Sequence, residues 1–207
     1  MTAPGLLIVI SGPSGTGKGT ICKALLQRRP DIFYSVSATT RPSRDGEIEG
    51  TNYYFKDKPT FAEMLARDEF LEWAAVYDNY YGTPRTPVMD AVAAGMDVIL
   101  EIDVQGALKV KEKAPEGIFL FIVPPSLCML RARIVGRRTD SMEVINKRMD
   151  KAMGEMSRLH EYNYVVENDV LDEAVDRVES IIVAEKCRTQ RFHLAADDET
   201  GQLIIAK

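Results

Sequence analysis

The run GPSGTGKGT, residues 12–20, follows directly on the apolar stretch LLIVIS and leads into a segment whose Ile21, Leu25 and Leu26 keep a helical spacing. Strand, glycine-rich loop and helix in that order leave few folds open. Glycines let successive backbone N–H groups converge on an anion, and the helix N-terminus behind them adds partial positive charge. The segment therefore reads as a phosphate cradle made by Gly12, Pro13, Ser14, Gly15, Thr16, Gly17, Lys18, Gly19 and Thr20, with Lys18 reaching the distal phosphates of a nucleoside triphosphate. A glycine-rich turn that held a lysine by chance would need neither the buried strand before it nor the helix after it.

The rest of the chain repeats the same alternation. Apolar runs at 98–102, 118–123 and 164–166 join the one at 6–10, with helical periodicity between them, and a run at 33–36 offers a fifth strand. This pattern predicts an α/β fold with a parallel central sheet. Helix starts are expected at Thr60 with Glu63, at Thr86 before Pro87, at Asp140 with Glu143, and at Asp169. The helix after Asp140 puts Ile145, Met149, Ala152, Met156 and Leu159 on one face, which reads as core packing. Two segments break the alternation. Residues 37–95 hold most of the tyrosines, Trp73 and the strand-like FLEWAAV, and predict a small β-rich insertion. Residues 133–148 gather Arg133, Arg137, Arg138 and Arg148 around Gly136, and predict a mobile flap.

A chain of 207 residues with 45% apolar and 28% charged side chains can bury its own core without staples. Its net charge of −5 argues against nucleic acid or an anionic membrane as partner, so an anionic ligand must be met by locally clustered cations. Cys22, Cys128 and Cys187 are odd in number and far apart, with no metal-ligand spacing, which fits the reducing cytoplasm. The run LLIVI is too short to span a bilayer.

The cradle departs from the general phosphate-loop pattern at Gly19, where a serine or threonine hydroxyl would ligate Mg²⁺. No protein metal ligand is assigned, and Mg²⁺ is expected to be held mainly by nucleotide and water, as suits an ion that dehydrates reluctantly. Adenylate kinases are similar in having GKGT at this point. A switch GTPase is the competing reading, because DVQG at 103–106 matches D-x-x-G and Asn146-Lys147 begins N-K-x-D. That second motif fails at Met149, and it falls inside an expected helix.

Five separated motifs in order, GPSGTGKGT, SATTRPSR at 37–44, EFLEWA at 69–74, NYYGT at 79–83 and EIDVQG at 101–106, resemble the guanylate kinase family. The resemblance implies a P-loop NTPase three-layer fold in one domain over 1–207. Its core would be 1–36, 96–132 and 151–207, with a GMP-binding insertion at 37–95 and a mobile lid at 133–150. It implies transfer of the γ-phosphoryl group of ATP to GMP, and also to dGMP, with Mg²⁺. It further implies that Arg41, Arg44, Tyr53 and Tyr81 grip the GMP phosphate while Ser37, Glu72, Thr83 and Asp103 face guanine. Arg133, Arg137 and Arg148 would be lid arginines that join Lys18 and Arg41 in catalysis, and Asn168 would lie near the adenine of ATP.

The side-chain chemistry agrees with that assignment. Guanine offers N1–H and an amino group as donors beside an acceptor, which a carboxylate and a hydroxyl complement. Arginine forks and tyrosine hydroxyls suit a terminal phosphate. Two other readings compete: a non-catalytic interaction module of the same fold, and a P-loop kinase for another acceptor such as a phosphorylated sugar. The retained Lys18 and arginines oppose the first, and Glu72 with Thr83 opposes the second.

Overall fold

In the computed structural model, residues 3–76, 78–136, 142–196 and 203–206 are described. Among them, β1 (Leu7–Ser11) sits at the centre of a five-stranded parallel sheet. Its neighbours are β7 (Val98–Glu101) on one side and β8 (Ile118–Val123) on the other. Outside them lie β2 (Phe33–Tyr34) against β7 and β9 (Tyr164–Glu167) against β8. All five residues of β1 are buried, as expected for a strand covered on both faces.

Two apolar layers enclose the sheet. On one side, α1 (Lys18–Arg28) and α7 (Leu171–Lys186) pack Ile21, Leu25, Val175 and Val178 onto Ile8, Ile10 and Leu120. On the other, α3 (Arg85–Ala93) and α4 (Val104–Lys113) place Val88, Ala107 and Val110 on Val9, Leu100 and Phe119. Helices on both faces of a parallel sheet give the three-layer α/β architecture that the alternating pattern predicts.

The insertion is a separate four-stranded sheet, ordered β4 (Tyr54–Phe55), β3 (Ala38–Thr39), β6 (Asn79–Pro84) and β5 (Phe70–Val76). Its own small core joins Ala38 and Phe70 to Phe61 of α2 (Lys58–Ala66), with the Phe61 and Phe70 rings stacked at 4.5 Å. The pairing of β5 with β6 shifts register between Phe70 and Glu72, and beyond the shift Glu72 is set directly opposite Thr83.

The flap region is flanked by α5 (Leu127–Val135) and α6 (Met142–Met156), which share a cluster of Leu130, Ile134, Ile145, Ala152 and Met149. Of the expected stripe on α6, Ile145 and Ala152 are buried and Met149 packs beside them, while the helix stops before Leu159. Asn146 and Lys147 lie within α6, so they form no base-reading loop. Arg137, Arg138 and Asp140 fall outside the described residues.

Three helix starts differ from expectation. Asp57 caps α2 by accepting from the Thr60 backbone N–H at 2.8 Å, so Thr60 stands inside the first turn. Helix α3 begins at Arg85, which moves Pro87 to its third position. Helix α7 begins at Leu171 with Val170 before it, not at Asp169. The apolar run near the C-terminus, which has no partner legible in the sequence, forms β11 (Leu203–Ala206), antiparallel to β10 (His193–Ala196). Among the described residues no helix is long and apolar enough to cross a membrane.

Candidate active site

The loop between β1 and α1 takes positive φ at Gly12 (138°), Gly15 (93°) and Gly17 (91°), where a side chain would be strained. Lys18 opens the helix and folds back over the loop, its Nζ donating to the carbonyls of Gly12 at 2.6 Å and Pro13 at 3.1 Å. Burial pulls its ammonium below lysine's ordinary pKa, an effect opposed first by Glu101 and then by Glu155 and Asp103. The hydroxyl of Thr16 donates to the Pro13 carbonyl at 2.9 Å, and Thr20 stands exposed in the first turn of α1.

Residues from distant elements converge on this loop. Gly15, Gly17, Thr20, Arg133, Asn168, Asp169 and Leu171 line one pocket. From the end of α5, Arg133 donates through Nη2 to the Asn168 carbonyl at 2.9 Å, while its buried Nη1 has no partner among the described residues. A buried guanidinium nitrogen without an acceptor is costly unless an anion arrives to satisfy it. From α6, Arg148 donates to the Ser14 hydroxyl at 2.9 Å. Two of the lid arginines expected from the sequence are thus at the loop, and Arg137 is outside the described residues.

A second group forms where the insertion faces α4. Thr83 donates its hydroxyl to Glu72 Oε1 at 2.8 Å, and both side chains are buried. Burial raises the Glu72 carboxyl to about 7, with the Thr83 hydrogen bond opposing and Asp103 adding to the rise. Gly106 is what lets α4 come so close: a Cβ there would lie 2.7 Å from Glu72 Oε2. Asp103 caps α4 by accepting from the Gly106 N–H at 2.8 Å, so one of its oxygens has a structural duty that the sequence reading had not assigned. Ser37 lies just before β3 and is tied to the insertion through its carbonyl, which accepts from the Tyr54 N–H.

Of the four residues expected to grip a phosphate, Arg41, Tyr53 and Tyr81 lie close together. The Arg41 guanidinium lies 5.4 Å from the Tyr53 ring centre and 5.8 Å from that of Phe55, and Tyr53 meets Tyr81 edge-on at 6.0 Å. Hydrogen bonding to Glu47, and secondarily to Tyr81, holds its pKa above the ordinary arginine value. Arg44 is exposed, and its backbone N–H donates to Glu47 at 2.8 Å.

Two carboxylates were not singled out from the sequence. Glu47 takes both terminal nitrogens of Arg41, at 2.8 and 2.9 Å, in the planar fork geometry a phosphate would use. Nothing in the local pattern marks it, because the partners sit on one irregular loop. Glu101, at the end of β7, accepts from the Tyr34 hydroxyl at 3.0 Å and lies against Gly19, where a Cβ would be 3.2 Å from Oε1. Its place in EIDVQG, on a strand beside β1, was the available signal.

A sequence profile described as guanylate kinase matches residues 5–185. A guanylate kinase of Caldanaerobacter subterraneus is 58% identical over 187 residues, covering 90% of this chain and 91% of that protein. One of Carboxydothermus hydrogenoformans is 52% identical over 199 residues, covering 96% and 98%. The crystal structure of a guanylate kinase from Anaplasma phagocytophilum superposes with a TM-score of 0.77 at 35% identity, covering 92% and 91% of the two chains.

Proposed function

Since the chain belongs to the guanylate kinase family, we infer that it catalyses transfer of the γ-phosphoryl group of ATP to GMP, giving ADP and GDP. The observation that carries the acceptor is the buried Glu72–Thr83 pair, an acceptor and a hydroxyl matched to the donor edge of guanine. dGMP is expected as a second acceptor, since the groups assigned to the acceptor are matched to its base and its phosphate.

Phosphoryl transfer through a loose transition state needs positioning and charge more than covalent help. The second pKa of a phosphate monoester is about 6, so the attacking GMP oxygen is anionic at neutral pH and no general base is required. That oxygen forms the new bond to the γ-phosphorus as the bond to the ADP oxygen breaks. Lys18, Arg133, Arg137 and Arg148 neutralise the ATP side, and Arg41, Arg44, Tyr53 and Tyr81 hold the acceptor phosphate. Ser37 and Asp103 join Glu72 and Thr83 around the base. Closure of the insertion, 37–95, and the lid, 133–150, onto the core brings the two anions together and excludes water.

Mg²⁺ fits the donors present. Glu101 carboxylate oxygens border the space that a side chain at Gly19 would occupy, and an oxygen donor beside the phosphates is the ligand type this ion takes. Glu101, with water and the nucleotide, would hold it, and the ion would supply charge neutralisation on the β- and γ-phosphates. Tyr34 keeps Glu101 oriented, since burial pushes its phenol well above the ordinary pKa and leaves it a donor. The protein works in the cytoplasm on small nucleotides, without nucleic acid or membrane.

The test is to incubate the protein with ATP, Mg²⁺ and each of GMP, dGMP, AMP, CMP, UMP and dTMP, and to follow ADP. Formation of ADP with the two guanine nucleotides alone is expected. Equal rates with AMP, or none with GMP, would overturn the assignment.

A further inference from the structure

We propose that Asn168 is a positioning residue that locks the Thr16–Gly17 peptide of the phosphate loop, acting on the phosphates of the donor and not on its adenine. The inference rests on the loop's being the ATP site, and it reassigns a residue that resemblance would put beside the base.

Asn168 is 7% exposed and follows β9, where its backbone N–H donates to the Val123 carbonyl at the end of β8. Its side-chain amide donates to the Thr16 carbonyl at 2.7 Å. The partner is an acceptor only, so the nitrogen end of the amide must face the loop, and one of its two N–H donors is committed there.

The peptide it holds matters because of peptide planarity. In a trans peptide the C=O of Thr16 and the N–H of Gly17 point in opposite directions, and there is no cis bond among the described residues. Fixing the Thr16 oxygen toward Asn168 therefore turns the Gly17 N–H away from Asn168. Gly17 has φ of 91° and no side chain, so this peptide would otherwise flip at little cost. A flipped peptide would set a carbonyl oxygen where an anion needs a donor.

Asn168 and Gly17 are fitted to each other: a Cβ on Gly17 would lie 2.3 Å from Asn168 Nδ2. The Asn168 main-chain carbonyl meanwhile accepts from Arg133 at 2.9 Å. One residue thus sets the loop and a lid arginine in a common frame, through its side chain and its backbone respectively.

The experiment compares binding of ATP with binding of inorganic tripolyphosphate, which has three phosphates and no base, in wild-type, Asn168→Ala and Asn168→Asp. The aspartate keeps the shape but cannot donate to Thr16 and adds charge near the phosphates. Affinity for both ligands is expected to fall by the same factor, about tenfold for alanine and more for aspartate, the loss of one buried hydrogen bond. The Gly17 amide proton should shift on adding tripolyphosphate in wild-type and not in either variant. Weaker ATP binding with tripolyphosphate binding unchanged would mean that Asn168 reads the base and would overturn the proposal, as would unchanged binding of both. Thermal melting of each variant identifies any that fails to fold, and the remaining variant then decides. GMP phosphorylation by the wild-type protein reports separately on the kinase assignment.

Discussion

The Thr83 hydroxyl donates to Oε1 of Glu72 at 2.8 Å inside a buried seam between the insertion and α4. The register shift in β5 sets these two residues opposite each other, so the pair we propose to read the base depends on a backbone irregularity as much as on side-chain identity.

An ionised Glu72 only accepts, and adenine would set its own N1 acceptor against it. Glu72→Gln keeps the shape and exchanges part of the acceptor surface for a donor. Its kcat/KM for GMP should fall by roughly 2 kcal/mol, about 30-fold, with ATP affinity unchanged. Steady-state rates with GMP and AMP check this, and an unchanged GMP/AMP ratio would show that guanine is read elsewhere.

The same carboxyl titrates at about 7, so GMP recognition should depend on pH. Efficiency with GMP should rise between pH of about 6 and about 8, levelling above the Glu72 value, and Glu72→Gln should remove that limb while leaving the one from the nucleotide phosphate near about 6. Stability runs the other way. A carboxyl whose pKa is raised on folding binds its proton more tightly in the native state, so its cost grows as pH rises from the ordinary 4.5 through about 7. Glu72→Gln should therefore melt higher than wild-type at pH about 8 and equally at about 4.

Gly106→Ala separates fold from recognition. The helix should tolerate alanine, which is the better helix former by about 1 kcal/mol, yet the new methyl would press on Glu72 Oε2. Efficiency with GMP should drop at least fivefold while the melting temperature and ATP affinity hold. A variant with wild-type GMP kinetics would show that the Glu72 carboxylate is free to move aside.

Lys18→Ala removes the cation over the loop and two hydrogen bonds to loop carbonyls, Gly12 and Pro13. The protein should remain folded by circular dichroism and lose nearly all transfer, by at least about 10³-fold, the scale of losing a fixed charge on a developing anion. Near-native turnover would refute the role given to this residue.

Much of this was legible because buried parallel strands are written as continuous apolar runs. Residues 118–123 and FLEWAAV form strands with the expected bounds. The two-residue strands β3 and β4 leave no periodicity to read, and the helix starts went astray where several capping residues stood close together, as at Asp57 and Thr60. The loop glycines and the arginines were visible from motif and charge. Glu47 and the capping duty of Asp103 were not, since each depends on a loop or helix start whose path only the folded chain defines.

The position of β1 between β7 and β8 has a bearing on biogenesis. The strand that carries the phosphate loop leaves the ribosome well before its register partners, Val98 to Glu101 and Ile118 to Phe121. Until those segments have been synthesised, a strand apolar in all but Ser11 has both edges open, and no nucleotide can stabilise the nascent chain through a loop that is not yet framed. LIVIS must be shielded until those segments emerge, and the insertion, whose small core closes within residues 38–83, can take shape before the second of them does.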